Sequence, residues 1–219
     1  MLDTARTAWH ASAWDMVATF GATDGSAAHP HVTHLLGAGV PPRDLSDAIH
    51  ALCATHGHHP GLAAEARLHG VQPDAADWLD AIADAFVAER GYIARLAAAA
   101  GPLPSTPGQA ESEAALLTST HALEMLARSE RRGCATGAVA ALVHDWTTIR
   151  RILDHGATRF GIEVQPPAFP PAAHTAESVA MLGATAATER AVGFGAQQLF
   201  AQHRALWDLL EARASAREG

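Results

Sequence analysis

Nowhere in the chain do β-branched and aromatic residues gather into the alternating runs that a half-buried strand requires. Alanine, the strongest helix former, supplies 51 of the 219 residues. Aromatic residues make up only 5%, so a core must be assembled from Ala, Leu and Val. The sequence therefore points to an all-α fold. All 15 basic residues are arginine, and lysine and asparagine are absent. That bias is expected of a GC-rich genome, which also inflates Ala, Gly and Pro, so helices are read from periodicity rather than from alanine alone. The 14 histidines have no such origin.

Charge and segment composition narrow the function classes. The formal charge of −8 comes with no basic stripe, which argues against nucleic-acid binding, since that needs an electropositive footprint. No apolar run reaches the roughly 18–20 residues that span a bilayer, and the N-terminal residues lack a basic region followed by an apolar one. Two cysteines, Cys53 and Cys134, are too few for a disulfide framework. The expectation is a cytoplasmic protein with no membrane partner.

Trp9, Ala13, Val17 and Phe20 recur at helical spacing, so a helix is expected over 4–20, followed by a break from Gly21 to Pro42. A second helix should run from Pro41-Pro42 to Gly57, with Leu45, Ile49, Leu52 and Cys53 on one face, and a third over 61–69. Trp78, Ile82, Phe86, Ile93 and Leu96 form a longer stripe ending at Gly101. Thr106, with Pro107 and Gln109 after it, is expected to cap the next helix, which reaches about Arg132. Val139, Leu142, Val143, Trp146, Ile149 and Leu153 mark another to Gly161. The last helix is expected to be the longest, starting at Thr175 and bent at Gly193 and Gly195.

Four long amphipathic helices must bury their stripes against each other, and the economical solution is an antiparallel four-helix bundle over about residues 74–215. Short N-terminal helices (1–72) would pack on it, within one domain covering 1–219. In helix number and length the bundle resembles the ferritin-like and haem-oxygenase-like architectures. The stretches Gly-Pro-Leu-Pro-Ser-Thr-Pro-Gly-Gln-Ala-Glu (101–111) and Ser-Glu-Arg-Arg-Gly-Cys-Ala-Thr-Gly (129–137) resemble signatures of an uncharacterised bacterial family. The ferritin-like resemblance implies carboxylates and histidines converging from several helices on a transition metal ion.

Two groups of residues could carry chemistry. Charged residues on apolar stripes are informative because an unpaired buried charge is costly. Glu89 and Glu189 lie on such stripes, His203 lies further along the last helix, and His121 and Glu124 project from one side of the helix between them. The ferritin-like Glu-x-x-His pattern is absent, and Glu189 and His203 are 14 residues apart, about 21 Å along a helix, so they cannot share one ion. Ion pairing of the carboxylates with arginines on other helices is the structural alternative. The second group is His50, Cys53, His56, His58 and His59, ligand types suited to zinc and similar ions at spacings that match no standard zinc module. No nucleophile elbow, phosphate-binding glycine loop or His-Glu-x-x-His is present. The expected function is a non-catalytic or small-ligand-binding helical protein that self-associates. The alternative is a degenerate ferritin-like metal-binding protein or oxidoreductase.

Overall fold

In a computed structural model, residues 12–182 and 185–217 form nine α-helices, with 78% helix overall and no strand among these described residues. That is far above the one-third typical of globular proteins. The helices are α1 (Ala13–Asp24), α2 (Pro30–Leu35), α3 (Pro42–His56), α4 (Leu62–His69), α5 (Ala76–Ala100), α6 (Gln109–Ala127), α7 (Cys134–Phe160), α8 (Ala172–Leu182) and α9 (Ala186–Ala216). Short 3-10 turns at Ser26–Ala28 and Pro73–Ala75 connect α1 to α2 and α4 to α5. The positions expected to be helical over 4–11 lie outside the described residues.

Glycine sets most of the helix ends. Gly70, Gly101 and Gly161 follow α4, α5 and α7 with φ of 61°, 78° and 71°, a region that side chains disfavour and in which glycine stops a helix. Thr106 does not cap α6. The helix starts at Gln109 behind Gly108, whose φ is 74°, and the Thr106 hydroxyl instead accepts a hydrogen bond from Arg217. α1 continues through Gly21 to Asp24, because Gly21 makes room for the His144 ring of α7. The long terminal helix expected from Thr175 is two helices, α8 and α9.

α7 and α9 form the most extensive pairing, and glycine makes it possible. A Cβ at Gly195 would collide with the Cys134 carbonyl, and one at Gly137 with the Val192 backbone. Gly195 therefore brings two backbones into contact rather than bending α9, which runs unbroken to Ala216. α7 is enclosed on nearly every side, by α1, α3, α5 and α9 among others. α3, expected on the outside of the long helices, packs against α5, α6, α7 and α9, with Ile49 against Gly156. One apolar cluster extends from Ala13 to Leu210. At one end, Asp44 and Asp47 of α3 accept from Arg213 and Arg217 at 2.8–2.9 Å, joining the last turns of α9 to the first turns of α3.

Candidate functional site

His56 is the last residue of α3, and it points inward rather than to solvent. Its Nε2 lies 3.0 Å from Nε2 of His203, in the middle of α9. Behind His203, Nδ1 lies 2.5 Å from Asp145 Oδ2 on α7. The carboxylate also accepts the Ser26 hydroxyl at 2.5 Å and the Ser26 amide at 2.7 Å. Trp207, one helical turn beyond His203, donates its indole N–H to the Ser26 oxygen at 2.7 Å. All five side chains are at most 5% exposed. The result is a continuous polar chain through an apolar core, running Trp207, Ser26, Asp145, His203, His56.

The donors constrain the protonation pattern. Asp145 can only accept from Ser26 and His203, so the His203 proton sits on Nδ1. With both rings neutral, His203 Nε2 must accept, His56 Nε2 donates, and the free lone pair of His56 is at Nδ1. Burial would raise Asp145, but the hydrogen bonds from His203 and Ser26 outweigh it and hold the carboxyl below its ordinary value. Burial, reinforced by neighbouring His203 and His58, pushes His56 well below the usual histidine range, which keeps its ring neutral.

The outward face of His56 lines a partly open cavity of about 100 Å³. Its wall includes His58 and His59 from the α3–α4 turn, Glu65 from α4, Arg90 from α5, and Glu124 and Arg128 from α6. His58 Nδ1 is buried and has no hydrogen-bond partner, which is costly unless something else supplies one. Arg128 donates to Glu65 at 2.6 Å, and Arg90 reaches His59 Nδ1 at 3.4 Å. Phe86 closes the inner side, with Trp146 behind it: their ring centroids are 4.7 Å apart, and Trp146 stands edge-on to His56 at 5.4 Å.

The remaining residues singled out in the sequence are dispersed. Glu89 faces away from the cavity, past Trp146, and accepts from Arg150 at 2.8 Å, the Trp146 indole at 3.0 Å and the Ala168 amide at 3.1 Å. Arg150 also donates to Asp154 and to the Gln165 carbonyl. His121 is exposed, 3.7 Å from Glu124, and Glu189 is half-buried in the first turn of α9. His50 donates to the Gly101 carbonyl at 2.8 Å. Cys53 is half-buried, with burial raising its thiol pKa. Of the five His/Cys positions in that segment, His56, His58 and His59 reach the cavity wall.

Sequence reasoning missed Asp145 and Ser26. The signal for Asp145 was its being the one acidic residue between Cys134 and Arg150 in an otherwise uncharged stretch. Among the described residues, the ligand atoms of His29, Asp208 and Glu211 lie within 4.8 Å of one another. His29 Nδ1, however, accepts the His31 amide as the cap of α2. Its proton is therefore on Nε2, donated to Asp208 at 3.0 Å, where a metal would need the lone pair. A more open cleft of about 550 Å³ lies beyond Trp146, between Trp14 and Phe169, but its buried cation Arg150 is already fully engaged.

A family model described as a family of unknown function (DUF6975) matches residues 21–218. The chain belongs to DUF6975. That match covers α2 to α9 and every residue of the Ser26–Asp145–His203–His56 chain. No curated protein and no solved structure matches the chain. No helix among the described residues is long and apolar enough to cross a membrane.

Proposed function

We propose that the protein binds a small polar molecule in the cavity at His56, with His56 Nδ1 as its polar contact and His58 beside it in the wall. The observation that carries this reading is the buried His56 ring in the cavity wall, held from behind by His203 and Asp145. Recessed sites with a few convergent polar groups and a shifted titratable residue, here His56, are where small ligands bind. The chain behind His56 fixes its tautomer and orientation, so the contact is preorganised. The test is methyl NMR of Leu123 and Leu142, which line the cavity, during titration with molecules of about six heavy atoms or fewer, beside an Ala64→Leu variant that fills it. Shifts lost in the filled variant support the reading, and shifts indifferent to the filling defeat it.

A second reading is a transition metal centre within a ferritin-like antiparallel arrangement of α5, α6, α7 and α9. It draws support from the acceptor that His203 offers to the second nitrogen of His56, as metal-ligating histidines require. His56 and His58 would supply two ligands and a bound molecule the rest. Metal analysis of untagged protein separates the readings: stoichiometric metal lost on His58→Phe favours this one.

A further inference from the structure

Among the described residues, one cation of the cavity wall has no carboxylate partner. Arg128 is paired with Glu65, and Glu124 stands near His121. Arg90, among the described residues, meets only His59, with its guanidinium 5.8 Å from the Phe86 ring centroid. Arg90 is only partly buried, and that partial desolvation lowers its pKa. A volume of about 100 Å³ is about three waters' share of liquid, enough for a carboxylate of about four heavy atoms. On the far side, the His56–His203 pair holds a lone pair toward the cavity and Asp145 behind it.

We infer that the cavity takes a small oxyacid of the carboxylic type as its anion, and that the His56–His203 pair takes up the accompanying proton. This rests on the reading of the cavity as a ligand site. The acid's O–H bond breaks as an N–H bond forms at His56 Nδ1. The hydrogen on His56 Nε2 crosses the 3.0 Å gap to His203 Nε2. The positive charge then rests on His203, against Asp145 at 2.5 Å, and the negative charge on the ligand oxygens beside Arg90. His56 ends neutral, with Nδ1–H donating to the anion. A carboxylate that is already ionised brings its proton from the buffer instead. The charged and titratable groups facing the pair are Asp145 on α7, His58 and His59 in the turn, Glu65 on α4, Arg90 on α5, and Glu124 and Arg128 on α6.

Calorimetry of the full chain with acetate, in buffers of different ionisation enthalpy between pH 7.5 and 8.5, tests the inference, with acetamide as the uncharged analogue of the same shape. The expected result is uptake of about one proton per acetate and a Kd that weakens about tenfold per pH unit. Arg90→Gln should lose about tenfold or more in acetate affinity with an unchanged helical spectrum. Acetate binding without proton uptake, or acetamide binding equally well, overturns the inference and leaves the cavity reading in place. Binding of neither, nor of any other small molecule in the methyl titration, overturns both. Nitrogen-15 NMR of the histidines gives an independent readout in unmutated protein. Saturating acetate should move the His56 proton from Nε2 to Nδ1, and an unmoved proton overturns the inference.

Discussion

Glu89 on α5 and Arg150 on α7 meet at 2.8 Å, with side-chain exposures of only 2% and 5%. The carboxylate accepts from Arg150, an indole and a backbone amide, so removing it orphans several buried donors at once. Glu89→Ala should destabilise the protein by about 3–5 kcal/mol, measured by urea unfolding. Glu189 has no ion-pair partner among the described residues and is half-buried in the first turn of α9. Glu189→Ala should therefore lose only the helix-dipole contribution, about 0.5 kcal/mol. Equal effects of the two substitutions would contradict this account.

The buried histidines make stability depend on pH in a defined window. Burial, helped by neighbouring His34, lowers His31 to about 4, and burial also lowers His56 and His144. Their folded-state values lie below the unfolded 6.5, so on acidification the unfolded chain binds protons first. The stabilising contribution is complete above about pH 6.5 and is lost as pH falls toward 4. For His31 alone it is on the order of 3 kcal/mol. Unfolding free energies measured at intervals from pH 7.5 to 4.5 should fall continuously, and a flat profile would mean that these rings titrate freely in the fold.

The α7–α9 glycines make a prediction opposite in sign to helix propensity. Alanine normally improves a helix interior by about 0.5–1 kcal/mol over glycine. At exposed Gly91 of α5, a Cβ would meet only the Arg95 side chain at 3.8 Å, and Gly91→Ala should stabilise by about that amount. At Gly137 and Gly195 the added methyl would strike backbone of the opposite helix. Each of these changes should cost about 1–3 kcal/mol or more, read as a lowered Tm. Stabilisation at Gly195 would show that the two helices do not touch there.

Asp47 accepts from both Arg213 and Arg217 at 2.8 Å, and all three side chains are at most 6% exposed. A double-mutant cycle on Asp47→Ala and Arg213→Ala should give a coupling energy of about 1–3 kcal/mol, since Asp47→Ala leaves buried Arg213 without a carboxylate and Arg213→Ala leaves Asp47 with Arg217 alone. Strict additivity would place the ion pairs outside the energetics of the fold.

Much of this fold is legible in the sequence because glycine and proline punctuate it. α3, α4, α5 and α7 end where Gly57, Gly70, Gly101 and Gly161 stand. The break between α8 and α9 has no proline to announce it, and α2 sits in a stretch whose glycines and histidines read as loop. The site was less legible. α7 has no exposed residue from Cys134 to Trp146, so periodicity cannot separate Asp145 from its apolar neighbours. Ser26 acts from a 3-10 turn, where no periodicity applies. His203 and Glu89 were visible as polar residues on apolar stripes, but their partners come from distant elements that spacing does not pair.

The polar chain behind His56 also dictates when the site can come into being. Ser26 and Trp207 are 181 residues apart in sequence, and His56 and His203 are 147 apart. While the chain is being synthesised, α1 to α7 leave the ribosome before the residues that complete the relay exist. Until α9 docks, Ser26 and Asp145 have only each other, and His56 Nε2 and the Asp145 oxygen that meets His203 must keep water as their partner, because burying them unpaired would be too costly. The cavity, its preorganised histidine and the closing of the core are therefore one late event, and a nascent chain lacking α9 has no immature version of the site to expose.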